Sequence, residues 1–395
     1  MLSVTSNNIS IYIHWPFCLA KCPYCDFNSH VAEAINHDVW LKSYLQELDY
    51  FSSIFGGKYI KSIFFGGGTP SLMEPRVVEG IIEKISSLAI IDNNTEITLE
   101  ANPTSFEINK FKEFKTSGIN RVSIGVQALK NKDLLKLGRQ HDIVAAKQAI
   151  IQANNIFDKV SFDLIYARSG QTLKEWQMEL VEACELASGH ISLYQLTIEK
   201  GTAFYKLFHD GKLALPNNDL AAQMYEWTTE YLATQGYTRY EISNYARDSY
   251  ECVHNLTYWN YQSYLGIGPG AHSRIISKNS VRSIMMYYNP AKWLSAVLNS
   301  KTGIQSSANL SATEAITECV MMGLRLNEGI NINNLWWLSD CIEMKDVINM
   351  EMVKYYYNLG LLIYSDKHIY FTNQGLILHN YLVPRLLVSE YKLIE

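Results

Sequence analysis

Charge is scarce in this chain, and neither sign dominates. Of 395 residues only 18% are charged, with 34 Lys and Arg against 39 Asp and Glu, a net of −5. That balance carries no nucleic-acid footprint, so no nucleic acid is expected as a partner. Long apolar runs are also missing. None approaches the ~18 residues that a bilayer span needs. The opening "MLSVTSNNIS" has neither the basic start nor the apolar core of a secretory signal. A disulfide framework is absent too. The seven cysteines are an odd count, and Cys184, Cys252, Cys319 and Cys341 stand singly. These absences together fit a reducing cytoplasm. What the chain does have is apolar and aromatic bulk: 48% hydrophobic residues, 26 Tyr and 8 Trp. It is therefore expected to be compact and globular, long enough for one barrel-like domain with an appendage or for two to three ordinary domains.

The first half repeats one rhythm. Short β-rich runs ("ISIYIHWPF", "KSIFFGGGTP", "EITLEANP", "RVSIGVQAL", "KVSFDLIYA", "HISLYQLTIE") alternate with longer stretches whose apolar residues recur at spacings of three and four. The first pattern reads as strand and the second as amphipathic helix. Six strands alternating with helices over residues 10–200 predict a parallel α/β fold. The strand ends carry unusual residues: His14, Gly66–Gly68, Glu100, Gln127, Asp163 and Thr197. Both a barrel and a doubly wound open sheet place their ligands at strand ends, so the rhythm does not choose between them. After Gly201 the pattern changes. A helix is expected over 218–235, then an aromatic, Gly- and Asn-rich segment packed beside a site. From Thr313 the chain turns helical, and "LLIYSDKHIYFTNQGLILHNYL" reads as a hairpin followed by a helix. The expected divisions are 1–205, 206–305 and 306–395.

Three cysteines are crowded into eight residues: Cys18, Cys22 and Cys25 in "CLAKCPYC". Thiolates select zinc or iron–sulfur clusters. A closed zinc site wants four ligands, with His14 or His30 as candidates for the fourth. Three thiolates on one tight loop instead suit a four-iron cluster with one iron left open to a small molecule. The glycines of "FFGGGTPS" let the backbone come close to a ligand and offer it N–H groups. Gln127 has a donor and an acceptor, and Arg139 can grip a carboxylate with two N–H groups.

These motifs resemble the radical S-adenosylmethionine (SAM) proteins. The set "YIHWPFCLAKCPYCDFNS", "GGGTPS", "LEANP", "GVQAL", "DLIY" and "YLGIGPGAHS" resembles, over roughly residues 10–385, the oxygen-independent coproporphyrinogen III oxidase group. The resemblance implies a partial (β/α)6 TIM-like barrel followed by a C-terminal α+β region with a winged-helix-like unit. It implies a [4Fe-4S] cluster on Cys18, Cys22 and Cys25. It also implies a SAM site drawn from Tyr12, Tyr24, Gly67, Gly68, Glu100, Gln127, Arg139, Asp163 and Thr197.

The group has an oxidase branch and a heme-chaperone branch. Oxidases typically show a further cysteine two residues after the triplet, where this chain has Phe27. They also carry an N-terminal extension for which this chain has no room. The segment His254–Ser273 is similar to that of the chaperones. The resemblance therefore implies heme as cargo, delivered to a membrane-associated respiratory acceptor by a cytoplasmic protein peripheral to the inner membrane. His254 is the candidate iron ligand, with His272 and Cys252 as rivals. No Cys-x-x-Cys-His is present for covalent heme attachment. The alternatives are the oxidase itself and an RNA-modifying radical SAM enzyme. One departure concerns the fifth strand. The group continues it with Gly-Leu-Pro, where this chain has Ala167, Arg168 and Ser169. Arg168 is expected either to reach an anionic group or to point to solvent.

Overall fold

The computed structural model describes residues 7–32, 34–338 and 344–388. Cys341 lies outside them.

The six β-rich runs form strands β1 (Asn8–Trp15), β2 (Tyr59–Gly67), β3 (Glu96–Ala101), β4 (Arg121–Gln127), β5 (Lys159–Tyr166) and β6 (His190–Gln195). They lie side by side in that order, every pair parallel. This order settles what the rhythm left open. A doubly wound sheet reverses direction at a switch point. Here each crossover steps one place in the same direction. Right-handed crossovers that all step one way put their helices on a single face, as in a barrel. Those helices include α1 (His37–Tyr50), α2 (Pro75–Leu88), α3 (Ile143–Ile156) and α4 (Leu173–Leu186). Local chemistry starts each one. Asn36 and Asp142 cap α1 and α3, Pro75 opens α2, and Thr172 and Glu175 close a capping box on α4. The helices bury Leu48, Val78, Ile150 and Leu180 in one large core with Ile9, Ile11, Ile13 and Trp15 of β1. Alternate residues of β1 (Ser10, Tyr12, His14) therefore face the inside of the curved sheet.

The helix expected over 218–235 is α5 (Asn218–Thr234). Beyond it the chain extends the same sheet at both edges. Strands β7 (Thr238–Glu241) and β8 (Asn244–Ala246) join antiparallel beside β6. A short helix α6 (Val253–Trp259) follows. Strand β9 (Tyr264–Ile267) then adds parallel to β1, and β10 (His272–Ser277), β11 (Ser280–Met286) and β12 (Ile304–Asn309) continue antiparallel outward. The result is one twelve-stranded mixed sheet.

The C-terminal unit has its own small core, with Ile316, Val320, Val353, Phe371, Leu382 and Leu386 among its buried residues. Its elements include helix α7 (Ala312–Gly323), strand β13 (Ile330–Asn331), helix α8 (Met350–Asn358), strands β14 (Leu362–Tyr364) and β15 (His368–Phe371), and helix α9 (His379–Leu386). The three strands pair in the order β13–β15–β14. Charged groups dock the unit on the sheet. Arg239 donates to Asn327 and Asn373, Arg325 meets Glu241, and Arg274 grips Glu318 with two N–H groups.

The departure after β5 has a clear structural outcome. Ala167 takes φ 55°, the left-handed region where glycine carries no penalty. Arg168 neither reaches solvent nor points to a ligand. It is buried, donating to Glu179 at 2.5 Å, Asp133 at 3.2 Å and the Ile165 carbonyl at 2.6 Å. Glu179 also accepts from the Leu129 N–H at 2.7 Å. The arginine ties two βα loops together. Removing one partner of a buried pair leaves the other charge uncompensated. Arg168→Ala is therefore expected to lower stability by about 3–5 kcal/mol. Urea denaturation of the two proteins checks this; a loss below about 1 kcal/mol would mean that the pair behaves like a surface one.

Candidate functional site

The C-terminal ends of β2 to β6, the cysteine loop and the C-terminal unit enclose one cavity of about 900 Å³. This is at the upper end of the ~300–1,000 Å³ range of small-molecule sites. Eleven of the thirteen residues expected at the site line it: Cys18, Cys22, Cys25, Tyr24, Gly67, Gly68, Glu100, Gln127, Arg139, Asp163 and Thr197. Tyr12 and His254 do not.

The cysteine loop leaves β1 and is held by backbone contacts. Phe17–Cys18 pairs with His30–Val31. Cys25 N–H donates to the Cys22 carbonyl at 3.1 Å, making a tight turn. Asn28 anchors the loop. Its Nδ2 donates to the carbonyls of Pro269 at 3.0 Å and Tyr288 at 2.9 Å, its Oδ1 accepts from His30, and its backbone carbonyl accepts from His14 Nε2 at 2.9 Å. His14 Nδ1 then accepts from the Tyr12 hydroxyl at 3.0 Å. Both His14 nitrogens are thus committed, which removes it as a fourth metal ligand. Tyr12 positions the loop from below rather than lining the cavity.

The glycines do something other than what their sequence suggests. Gly67 N–H donates to Glu100 Oε2 at 3.1 Å, and Gly68 N–H donates to the Trp15 carbonyl at 2.7 Å. What they provide is closeness. A Cβ on Gly67 (φ 114°) would sit 2.5 Å from the His14 ring, and one on Gly68 would sit 2.6 Å from the Phe17 carbonyl oxygen.

A polar chain backs the thiols. Arg139 donates to Asn102 Oδ1 at 2.5 Å, to the Gly125 carbonyl at 2.7 Å and to Cys22 Sγ at 3.5 Å. Asn102 donates to Thr69 Oγ1 at 3.0 Å, and Thr69 donates to Cys18 Sγ at 3.4 Å. Burial pushes the Cys18 and Cys25 thiols up, while the Thr69 and Ser29 hydroxyls pull Cys18 back. Arg139 Nε is buried in the cavity wall without a partner. Among the described residues, no three His, Cys, Asp or Glu side chains converge on a single metal position. Three partly exposed thiols around one cavity, each with a donor behind or beside it, fit a polynuclear cluster whose thiolates bind separate irons.

Opposite the loop stand two carboxylates. Glu100 is pushed up to about 8, first by burial and second by the charge of Asp163. Asp163 is pushed up to about 6 by burial, opposed by Ser192, Arg121 and Ser123. Gln127 adopts φ 71°, a strained conformation for a non-glycine residue at the end of its strand. Together these groups can receive a cationic ligand, the carboxylates as counter-charge and Gln127 as hydrogen-bond partner.

His254 lies elsewhere. It is fully buried on α6, its Nδ1 2.8 Å from Ser62 Oγ and its Nε2 2.8 Å from the Tyr258 hydroxyl. Ser62 is five residues before Gly67 on β2, about 16 Å back along the strand. Helix α6 fills the N-terminal end of the barrel, away from the cavity. Asn28, Asn102 and Thr69 escaped sequence reasoning. Their small polar side chains gave no signal beyond lying close to the motifs.

The site defines a class: the radical SAM superfamily, whose sequence profile matches residues 12–180, with the HemN C-terminal domain profile matching 310–378. Within that class the chain belongs to the family that includes the heme chaperone HemW and the mitochondrial radical S-adenosyl methionine domain-containing protein 1. It is 33% identical to the latter from Danio rerio, over 96% of this chain and 87% of that protein. It is 39% identical to HemW of Escherichia coli, over 68% of this chain and 70% of that protein. Its fold matches the solved coproporphyrinogen III oxidase HemN of Escherichia coli with a TM-score of 0.81 at 20% identity, covering 96% of this chain and 91% of that one. Membership implies a [4Fe-4S] cluster and SAM. The residues present fit both, and a cluster with SAM bound supplies radical chemistry by reductive cleavage.

Two outcomes are expected here. Asn28→Ala strips three hydrogen bonds from the loop anchor, each worth about 1 kcal/mol, so the reconstituted protein should hold less iron per chain after gel filtration. Wild-type iron content would show that the clamp is dispensable. The second concerns pH. A carboxylate raised in the folded state binds protons that the unfolded state has lost. Stability is then full below the ordinary carboxylate range and falls as pH rises through the folded values. Cofactor-free wild type should therefore lose stability between pH 5 and pH 8, and Glu100→Gln should lose less. Parallel urea midpoints at the two pH values test it, and equal losses would refute the shift.

Proposed function

We propose that this chain is a heme chaperone that binds heme, a [4Fe-4S] cluster and SAM and passes heme to an acceptor protein. The observation that carries this reading is the kinship with proteins named heme chaperone HemW, at 39–41% identity over 68–69% of the chain. A second feature supports it. Phe27, which stands where oxidases of the group typically have a cysteine, is 57% exposed and lines the cavity. An open apolar ring at the rim suits a flat apolar cargo better than it suits redox chemistry.

In this reading Cys18, Cys22 and Cys25 hold the cluster. Gly67, Gly68, Glu100, Gln127, Arg139, Asp163, Thr197 and Tyr24 surround SAM, and Tyr12 braces the loop. The catalytic frame is a partial (β/α)6 barrel, and the C-terminal unit is winged-helix-like. Among the described residues no helix is long and apolar enough to cross a membrane. The protein works in the cytoplasm and meets its respiratory acceptor at the membrane surface.

The test uses cluster-reconstituted protein under anaerobic conditions, with SAM, a reductant and coproporphyrinogen III, beside a known oxidase. Chromatography should find no protoporphyrinogen, while hemin added to the same preparation should bind at one per chain. Multiple-turnover decarboxylation would overturn the chaperone reading in favour of the oxidase.

A further inference from the structure

Each of the three thiols has a side-chain donor within reach, but the donors are unequal. Cys22 Sγ receives an Arg139 N–H at 3.5 Å and Cys18 Sγ the Thr69 hydroxyl at 3.4 Å, while Cys25 Sγ has the Ser29 hydroxyl at 3.9 Å. The first two donors are linked. Asn102 stands between them, 2.5 Å from Arg139 and 3.0 Å from Thr69.

The ends of this chain force its direction. A guanidinium only donates, so the Asn102 amide turns Oδ1 towards Arg139. Nδ2 then faces Thr69 and donates to its oxygen. With Thr69 Oγ1 already accepting, its one proton goes to Cys18 Sγ. Each member is held in place. Thr69 is buried, and its N–H donates to the Phe17 carbonyl at 2.8 Å. The Asn102 N–H donates to Glu107 Oε2 at 2.7 Å, and Arg139 donates to the Gly125 carbonyl at 2.7 Å. One cation therefore acts on two thiols: on Cys22 directly, and on Cys18 through two polarised side chains.

Hydrogen bonds to the sulfurs of an iron–sulfur cluster help to set its reduction potential. Reduction adds negative charge, which the sulfurs share. A donor aimed at a thiolate stabilises the reduced state more than the oxidised one, and more strongly when the donor is charged. Resting on the reading that Cys18, Cys22 and Cys25 hold a [4Fe-4S] cluster, we propose that Asn102 is a positioning residue that couples the Arg139 charge to Cys18 through Thr69, and that this relay raises the reduction potential of the cluster.

The test is an anaerobic redox titration of the full chain with its cluster reconstituted. SAM is left out, so that contacts to it do not enter. Dithionite supplies one electron per cluster and is itself oxidised, and low-temperature electron paramagnetic resonance of the reduced cluster gives the midpoint. Thr69→Val keeps the side chain's shape and removes the proton. At a fixed potential its oxidised-to-reduced ratio should be about tenfold above wild type, a midpoint lower by about 59 mV for one electron. Asn102→Ala keeps the hydroxyl but cuts it from Arg139, and should lower the midpoint as well. Thr69→Ser restores a hydroxyl and should keep the wild-type midpoint. A merely structural role would change iron content without moving the midpoint of the clusters that form. Thr69→Ala replaces Thr69→Val if the latter takes up too little iron to titrate. A wild-type midpoint in the hydroxyl-free variant or in Asn102→Ala would overturn the relay and leave the cluster reading standing, as would a Thr69→Ser midpoint as low as that of Thr69→Val. A wild type with no reducible [4Fe-4S] signal would overturn that reading, and the relay with it.

Discussion

The site depends on one clamp: the hydrogen bond from His14 Nε2 to the Asn28 carbonyl, together with the Asn28 side chain's reach to Pro269 and Tyr288. The cysteine loop has little regular structure of its own. It is pinned because β1, β2 and the loop after β9 come together around it without Cβ atoms in the way. A Cβ on Gly270 would sit 2.3 Å from Asn28 Nδ2, and one on Gly268 would sit 2.6 Å from the His14 carbonyl oxygen. The glycines of "GGG" and "GIGPG" are thus two halves of one packing solution, separated by some two hundred residues and joined by the parallel pairing of β9 with β1.

Around that clamp the barrel interior carries polar groups at both ends, among them Thr98 Oγ1 and Arg121 Nε, which are buried without a partner. At the N-terminal end, Ser10, Ser62, Thr257 and His254 satisfy one another in a closed network beneath α6. At the C-terminal end, polar groups are left short of partners. Arg139 Nε is unpaired, Glu100 and Asp163 are pushed above the ordinary carboxylate range by burial, and Gln127 is strained. Closed networks stabilise a fold. Unmet ones facing a cavity mark where a ligand completes the structure.

The chamber is made jointly. The barrel supplies the thiols and carboxylates, while the C-terminal unit supplies the wall that includes Leu376, Ile377, Leu378 and Tyr381. The docking contacts of Arg239, Arg325 and Arg274 hold the two faces at a set distance.

Much of this was legible in the residues. Period-two runs and period-three-and-four runs marked the strands and helices, because each periodicity follows from local backbone geometry. The cysteine spacing marked the cluster loop, because three thiols so close have few other uses. The polar strand ends marked the ligand side, since side chains there face the open end of the sheet. Other features were beyond the sequence, because they depend on which distant groups meet. Arg168 looked like a free cation until Glu179 and Asp133 came up beside it. The glycine N–H groups looked available until Glu100 and Trp15 took them. His254 looked like a ligand by its neighbours in the chain, until Ser62 and Tyr258 took both its nitrogens. A side chain's type is local, but its unspent hydrogen-bonding capacity is decided only when the whole chain has packed. The sequence by itself thus determined the strands, the helices and the crowding of three thiols on one loop, while tertiary packing decided which polar groups remain free to act.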